Sequence, residues 1–309
     1  TRHWSEEGRA TVPTMAAVTS APPPTFHHRD FALADLVAAK ADTSVSVCLP
    51  ARDEAATVGA IVESIRTHLV DDAGLVDELL VIDDHSSDRT AAVAADAGAA
   101  VVRTTDGQGK GEALWTSVVA SKGDLIVWCD ADVRAFDPAF VTGLLGPLLT
   151  RPDVGFVKGF YERPLNDQQE GGGRVTELVA RPLIALLFPE LAGIVQPLSG
   201  EYAGRRDVLE RLPFVQGYGV DLGLLVDVTR LIDPEGIAQV DLGVRHHRNR
   251  SLAELSPQAL AVMQTALRRA GLDAEEPAIL TRPGVPDVCI ESSERPPPVE
   301  SPAYRRSSS

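Results

Sequence analysis

Leu125-Ile126-Val127-Trp128-Cys129-Asp130-Ala131-Asp132 runs from five apolar residues straight into two carboxylates one residue apart. An unbroken apolar run this short reads as a strand buried on both faces, the habit of parallel sheets covered by helices. The pattern repeats upstream. Strands are expected at 44–50, which ends on Pro50, at 79–84, which ends on Asp83 and Asp84, and at 100–102. Apolar residues at helical spacing mark helices over 57–65, 91–97 and 111–121, with a shorter amphipathic one over 30–41. Strands alternating with helices define an α/β fold, a Rossmann-like, mostly parallel sheet flanked by helices. Ligands of such sheets lie beyond the carboxyl ends of the strands, and Pro50, Asp83 and Asp130 all fall there.

Beyond Asp132 the periodicity weakens. A strand is expected over 156–161, a helix over 175–187 after Gly171-Gly172-Gly173, a mixed region over 207–232, a strand over 238–245 and a helix over 259–271. From 282 onward proline and serine dominate, and a flexible tail is expected over 282–309. Residues 1–28, with Pro22-Pro23-Pro24, read as a flexible arm. Met15 reads as the native start, with 1–14 as a tag or upstream translation.

The 309 residues are 44% hydrophobic and 24% charged, ordinary values for a globular protein with a real core. A formal charge of −15 argues against nucleic acid, whose phosphates require a basic face. The longest fairly apolar stretch, 178–198, is interrupted by Arg181, Pro182, Pro189 and Glu190, which excludes a membrane span. No secretory signal is visible, and the three scattered cysteines, Cys48, Cys129 and Cys289, suggest neither a disulfide framework nor a zinc site, so a reducing cytoplasm fits.

Several short motifs carry chemistry. Asp130 and Asp132 offer hard oxygen ligands to a divalent cation able to bridge nucleotide phosphates; alone, such a pair equally caps a helix or sits in water. In P-A-R-D-E-A-A-T, residues 50–57, Glu54 could accept from a ribose or a base, or with Asp53 simply favour a helix N-terminus. Gly107-Gln108-Gly109-Lys110-Gly111 is a glycine-rich turn that could bring backbone N–H groups and the Lys110 charge to a phosphate, though its spacing is not that of a P-loop. Gly173-Arg174-Val175-Thr176 repeats that logic, with Arg174 as a bidentate fork and Thr176 as a donor. Arg245-His246-His247-Arg248-Asn249-Arg250 is the one dense basic segment of an acidic chain, and one of its histidines could complete the coordination begun by Asp132.

Longer strings bring a family into view. P-A-R-D-E-A-A-T, V-I-D-D-H-S-S-D, G-K-G-E-A-L-W at 109–115, D-A-D, G-G-G-R-V-T-E-L-V-A-R-P at 171–182, Q-P-L-S-G-E-Y-A at 196–203, G-Y-G-V-D at 217–221 and G-V-R-H-H-R-N-R at 243–250 span most of residues 26–271. Together they resemble the glucosyl-3-phosphoglycerate synthases of actinobacteria and the related mannosyl-3-phosphoglycerate synthases, retaining glycosyltransferases of the GT-A fold. The resemblance implies a nucleotide-sugar-binding domain over 29–160 and a smaller acceptor-binding part over 161–281. It places Pro50, Ala51, Glu54, Asp83, Lys110, Asp130 and Ala131 around the nucleotide sugar. It makes Asp132 and His247 the ligands of Mg2+ or Mn2+, and sets Gly173, Arg174, Thr176, Tyr218, Arg245 and Asn249 around D-3-phosphoglycerate. Asp132, His247, Lys110 and Asp221 are the residues expected to carry catalysis, and a homodimer is implied. At 221 the family often has glutamate, so Asp221 is one methylene shorter beside the sugar.

The reaction so implied moves glucose from UDP-glucose to the 2-hydroxyl of D-3-phosphoglycerate. No enzyme nucleophile is evident, which favours same-face attack with the leaving phosphate taking the acceptor's proton. The alternatives are GDP-mannose as donor, a sugar-phosphate nucleotidyltransferase, and a sensor that binds the sugar nucleotide without consuming it. A dehydrogenase is disfavoured, since residues 50–59 contain a single glycine.

Overall fold

The structure, a computed structural model, describes residues 22–162, 173–245, 251–273, 276–291, 293–302 and 304. Its frame is an eight-stranded sheet built from β1 (Thr25–His27), β2 (Val45–Ala51), β3 (Glu78–Asp83), β4 (Ala100–Arg103), β5 (Leu125–Trp128), β6 (Phe156–Glu162), β7 (Tyr202–Arg205) and β9 (Ile237–Val244), while β8 (Phe214–Val215) lies outside it. The order is β1-β9-β6-β7-β5-β2-β3-β4. All neighbours run parallel except those of β7, which is antiparallel to both β5 and β6.

Strand side chains alternate between two cores. Val45, Val47, Leu49, Leu125 and Val127 face one side, packed under α1 (Leu33–Lys40), α2 (Val58–Ile65), α3 (Thr90–Asp96) and α5 (Ala139–Thr150). Cys48, Leu80, Ile82, Ile126 and Trp128 face the other, packed with α4 (Lys110–Ala120), α6 (Arg181–Leu187), the short α7 (Arg206–Leu209), α8 (Val220–Leu231) and α9 (Leu252–Arg269). With both faces covered, every position of β5 is buried, which is why its sequence shows no alternation. Trp128 anchors the second core, its ring edge-on to Tyr202 and Phe214 and its indole N–H donating to the Ser117 hydroxyl at 2.7 Å.

Three expectations require correction. Within the arm expected over 1–28, residues 25–27 form β1, which pairs with β9 and packs Phe26 on the core; residues 1–21 lie outside those described. The boundary expected at 160 falls inside β6, which hydrogen-bonds to β7 and β9 in the same sheet as the first-half strands, so one sheet spans both proposed parts. The tail expected from 282 is ordered through most of its described length. There β10 (Ala278–Arg282) pairs with β11 (Val285–Ile290), and β12 (Glu294–Arg295) pairs with β8. Side-chain hydrogen bonds fix this proline-rich stretch despite its composition, with Trp115 Nε1 donating to the Pro296 carbonyl and Tyr304 hydrogen-bonded to Glu210.

Close packing of α4 on β8 makes a simple stability test. A Cβ added at Gly111 would lie 1.8 Å from the Val215 carbonyl oxygen. Alanine normally favours a helix interior over glycine by about 1 kcal/mol. Here the clash dominates, and Gly111→Ala is expected to destabilise the protein by about 2–3 kcal/mol in chemical denaturation. Unchanged stability would show that the α4–β8 contact yields freely.

Candidate active site

A cleft of about 380 Å³ opens beyond the carboxyl ends of β2 and β5 and across the starts of α4 and α8. The chain turns sharply after β5, and the Thr57 hydroxyl fixes that turn by donating to the Ala131 carbonyl at 2.6 Å. Pro50, Glu54, Lys110, Asp130, Ala131 and Asp132 reach the cleft from the first half of the chain. Gly173, Arg174, Thr176, Tyr218, Asp221 and Arg245 reach it from the second. Residues far apart in sequence, all singled out by motif, therefore line one space.

Two sequence candidates do not. Ala51 and Asp83 are absent from the cleft lining and almost wholly buried, because β2 and β3 pair them with each other inside the sheet. Asp83 has one oxygen 3.3 Å from Arg103 Nε and the other without a hydrogen-bond partner among the described residues. Asp84, one residue on, lines the cleft and accepts the Gly109 N–H at 2.8 Å, so that amide is already engaged. His247 and Asn249 lie outside the described residues.

Charge is concentrated at the floor. Lys110 Nζ sits 3.1 Å from Asp130 and 3.2 Å from Asp221, bridging the first half to the start of α8. Burial opposes its charge, but Asp130 and Asp221 outweigh that and hold the ammonium well above the usual lysine range. Arg245 is the second bridge, expected on the acceptor. Its guanidinium lies 3.1 Å from Asp130, 2.6 Å from Asp132, 2.7 Å from Glu201 and 2.5 Å from the Tyr161 hydroxyl. Arg245 thus borders the cleft while its two Nη groups are engaged by carboxylates and the Tyr161 hydroxyl. Burial would raise the Asp130 pKa, yet Lys110 and Arg245 keep it well below the usual carboxylate range.

Sequence reasoning assigned no role to Lys158, Glu201 or Tyr202, which form the layer beneath. Glu201 is 0% exposed, and burial raises its pKa against the pull of Arg245. Tyr202 donates to Asp221 at 3.1 Å. Lys158 donates to the Ser199 carbonyl at 2.9 Å and lies 4.2 Å above the Tyr202 ring. The available signal was a lysine inside the apolar run of β6 and the Glu-Tyr pair of the Q-P-L-S-G-E-Y-A string.

Lys158 supplies a pH test. Burial pushes its pKa from 10.5 down to about 8, Asp221 opposing and Lys110 reinforcing the shift. Between those two values the unfolded chain binds more protons than the folded one, so the residue's contribution to stability rises with pH. Lys158→Met is expected to abolish a rise on the order of 2–3 kcal/mol between about pH 8 and pH 10, read from denaturation midpoints. An identical pH profile in wild type and variant would refute the assignment.

The floor also bears on metal binding. Asp130, Asp132, Glu201 and Asp221 share three cations, Lys110, Lys158 and Arg245, with Lys158 losing its proton near the top of the neutral range. Surplus carboxylate and the hard oxygens of Asp132, which is one-third exposed at the cleft, fit a divalent cation. Among the described residues no three His, Cys, Asp or Glu side chains converge as a complete ligand set.

Residues 46–212 match the model of glycosyl transferase family 2. Glucosyl-3-phosphoglycerate synthase of Mycolicibacterium smegmatis is 51% identical over 258 residues, covering 80% of this chain and 84% of that protein. The chain belongs to the glucosyl-3-phosphoglycerate synthase family. The crystal structure of glucosyl-3-phosphoglycerate synthase from Mycobacterium tuberculosis in complex with Mn2+, uridine-diphosphate-glucose and phosphoglyceric acid superposes with a TM-score of 0.82 at 43% identity, covering 91% of this chain and 99% of that one. Mannosyl-3-phosphoglycerate synthase from Rubrobacter xylanophilus superposes with the same TM-score at 38% identity, covering 91% and 98%. The GT-A type α/β fold expected from sequence is the fold observed.

Proposed function

We propose that this chain moves glucose from UDP-glucose to the 2-hydroxyl of D-3-phosphoglycerate and retains the anomeric configuration. The observation that carries this reading is one cleft lined both by Pro50, Glu54 and Lys110, expected around a nucleotide sugar, and by Gly173, Arg174, Thr176 and Tyr218, expected around an anionic acceptor. Arg174 offers a guanidinium fork to the acceptor's phosphate or carboxylate, with Thr176 as a further donor. Lys110 brings a fixed positive charge to the bond between sugar and diphosphate, where negative charge grows as the bond breaks. Asp221, held by Lys110 and Tyr202, presents its carboxylate beside the sugar.

Asp132, with His247, would hold Mg2+ or Mn2+, which when bound offsets the negative charge of the diphosphate. Asp130 remains ionised between Lys110 and Arg245 and fixes the spacing of both cations. No serine, cysteine or carboxylate is proposed as a covalent nucleophile, so the acceptor attacks from the face the nucleotide leaves.

Cytoplasmic localisation and a homodimer belong to the same reading. Among the described residues no helix is long and apolar enough to cross a membrane. Leu178 and Leu186, 74% and 76% exposed, support an interface on the segment leading through α6.

A donor panel tests the proposal. The purified protein, D-3-phosphoglycerate and Mg2+ are incubated separately with UDP-glucose and GDP-mannose, and products are read by mass spectrometry. A hexosyl-phosphoglycerate should form predominantly with UDP-glucose. Faster turnover of GDP-mannose would overturn the donor assignment, and pyrophosphate release from a nucleoside triphosphate would overturn the reaction class.

A further inference from the structure

The turns that carry Lys110 and Tyr218 into the cleft are tied together by residues from the far end of the chain. Glu112, in the first turn of α4, is a carboxylate only 1% exposed. Arg295 grips it with a bidentate fork, Nε to Oε2 and Nη2 to Oε1 both at 2.7 Å. Gln216, immediately before the turn containing Tyr218, donates to Glu112 Oε2 at 2.8 Å. Ser293 holds Gln216 twice, its carbonyl accepting the Gln216 N–H at 2.8 Å and its hydroxyl donating to Gln216 Oε1 at 2.5 Å. The Arg295 guanidinium also lies 4.9 Å from the centre of the Trp115 ring.

Little slack exists between these parts. A Cβ at Gly107 would fall 2.3 Å from Gln216 Nε2 and 2.6 Å from Glu112 Oε2, and one at Gly109 would fall 3.0 Å from the Gly217 backbone. The glycine turn is therefore moulded onto the Glu112–Gln216 pair. That pair would be a buried anion with only a neutral amide if Arg295 were absent.

We propose that Arg295 is a positioning residue: through Glu112 and Gln216 it fixes the Lys110 turn against the Tyr218 turn, and so sets the gap in which sugar donor and acceptor meet. Substrate identity here rests on the reading of the cleft given above. Arg295 itself does not line the cleft. It acts on the reaction only through the two turns.

The test compares Arg295→Met with Tyr304→Phe, which loosens the same terminal segment at its contact with Glu210. Amide hydrogen exchange of the ligand-free proteins is measured first. Arg295→Met should speed exchange over residues 107–112 and 216–219 by about tenfold or more, while Tyr304→Phe leaves both turns as in wild type. In steady-state kinetics Arg295→Met should lower kcat by about tenfold with less than about a threefold change in KM for UDP-glucose, because Lys110 is needed most in the transition state. Arg295→Lys, which keeps the charge but loses the fork, should fall between, and carries the test if the methionine variant does not fold. Unchanged exchange at both turns, or equal loosening by Arg295→Met and Tyr304→Phe, overturns the proposal. Neither exchange result depends on the substrate, so a wild-type protein inert toward UDP-glucose would sink the cleft reading and leave this one to be decided separately.

Discussion

Arg245→Met is expected to destabilise the protein by about 3–5 kcal/mol, the usual cost of removing one partner from a buried ionic cluster. Arg245 is the shared counterion of Asp130, Asp132 and Glu201, and Glu201 is wholly buried. Removing the cation leaves carboxylates facing one another in a poorly solvated place. Since whole domains are stable by only about 5–15 kcal/mol, much of the folded population would be lost on mild warming. The double variant Arg245→Met with Glu201→Gln should regain most of the loss, because the orphaned charge goes with its partner. Activity should stay low in both, as Asp130 and Asp132 lose the group that orients them. Chemical denaturation reads the outcome, and a single variant within about 1 kcal/mol of wild type would show that solvent already screens the cluster.

Lys110→Met is expected to reduce kcat by about 10²–10³-fold, the range for deleting one group that stabilises transition-state charge. Stability should suffer less than in the Arg245 variant, because Asp130 keeps Arg245 and Asp221 keeps the Tyr202 hydroxyl. Lys110→Arg should not rescue turnover: a planar fork cannot replace a compact ammonium seated about 3 Å from each of two carboxylates. Turnover by Lys110→Met within threefold of wild type would remove Lys110 from the reaction.

The first half of the fold was legible because β2, β3 and β5 are short apolar runs separated by helices with one exposed side. That contrast disappears in α5. Phe140 to Leu148 are all buried, so no polar face marks a helix, and Gly143, Gly146 and Pro147 read as breakers. The glycines serve packing instead, for a Cβ at Gly146 would strike the Phe31 ring and one at Gly143 would meet His28. Helix α8 is hidden for the same reason, buried through most of its length. The tail misled through composition, since its hold depends on a few directed bonds such as Arg295 to Glu112, which leave no periodic trace.

Legibility of the cleft followed a similar division. Lys110, Asp130, Asp132, Arg174, Thr176 and Tyr218 stand in contiguous motifs near strand ends, turns and helix starts, and all of them line the cleft. Asp83 shows the limit of that rule: strand register buries it, and the next residue, Asp84, faces the cleft. Lys158 and Glu201 escaped notice because their task is internal. They balance charge beneath the floor, and only three-dimensional proximity to Asp221, Arg245 and Tyr202 gives them meaning.

The most direct measurement is a proton NMR time course of the purified protein with Mg2+, UDP-glucose and D-3-phosphoglycerate. Expected is the equimolar appearance of UDP and a single glucosyl-phosphoglycerate whose new anomeric proton has the α configuration of the donor, linked at the acceptor's 2-oxygen. A β product, free glucose without glycoside, or no consumption of UDP-glucose over hours would contradict glucosyl transfer by same-face attack in this cleft.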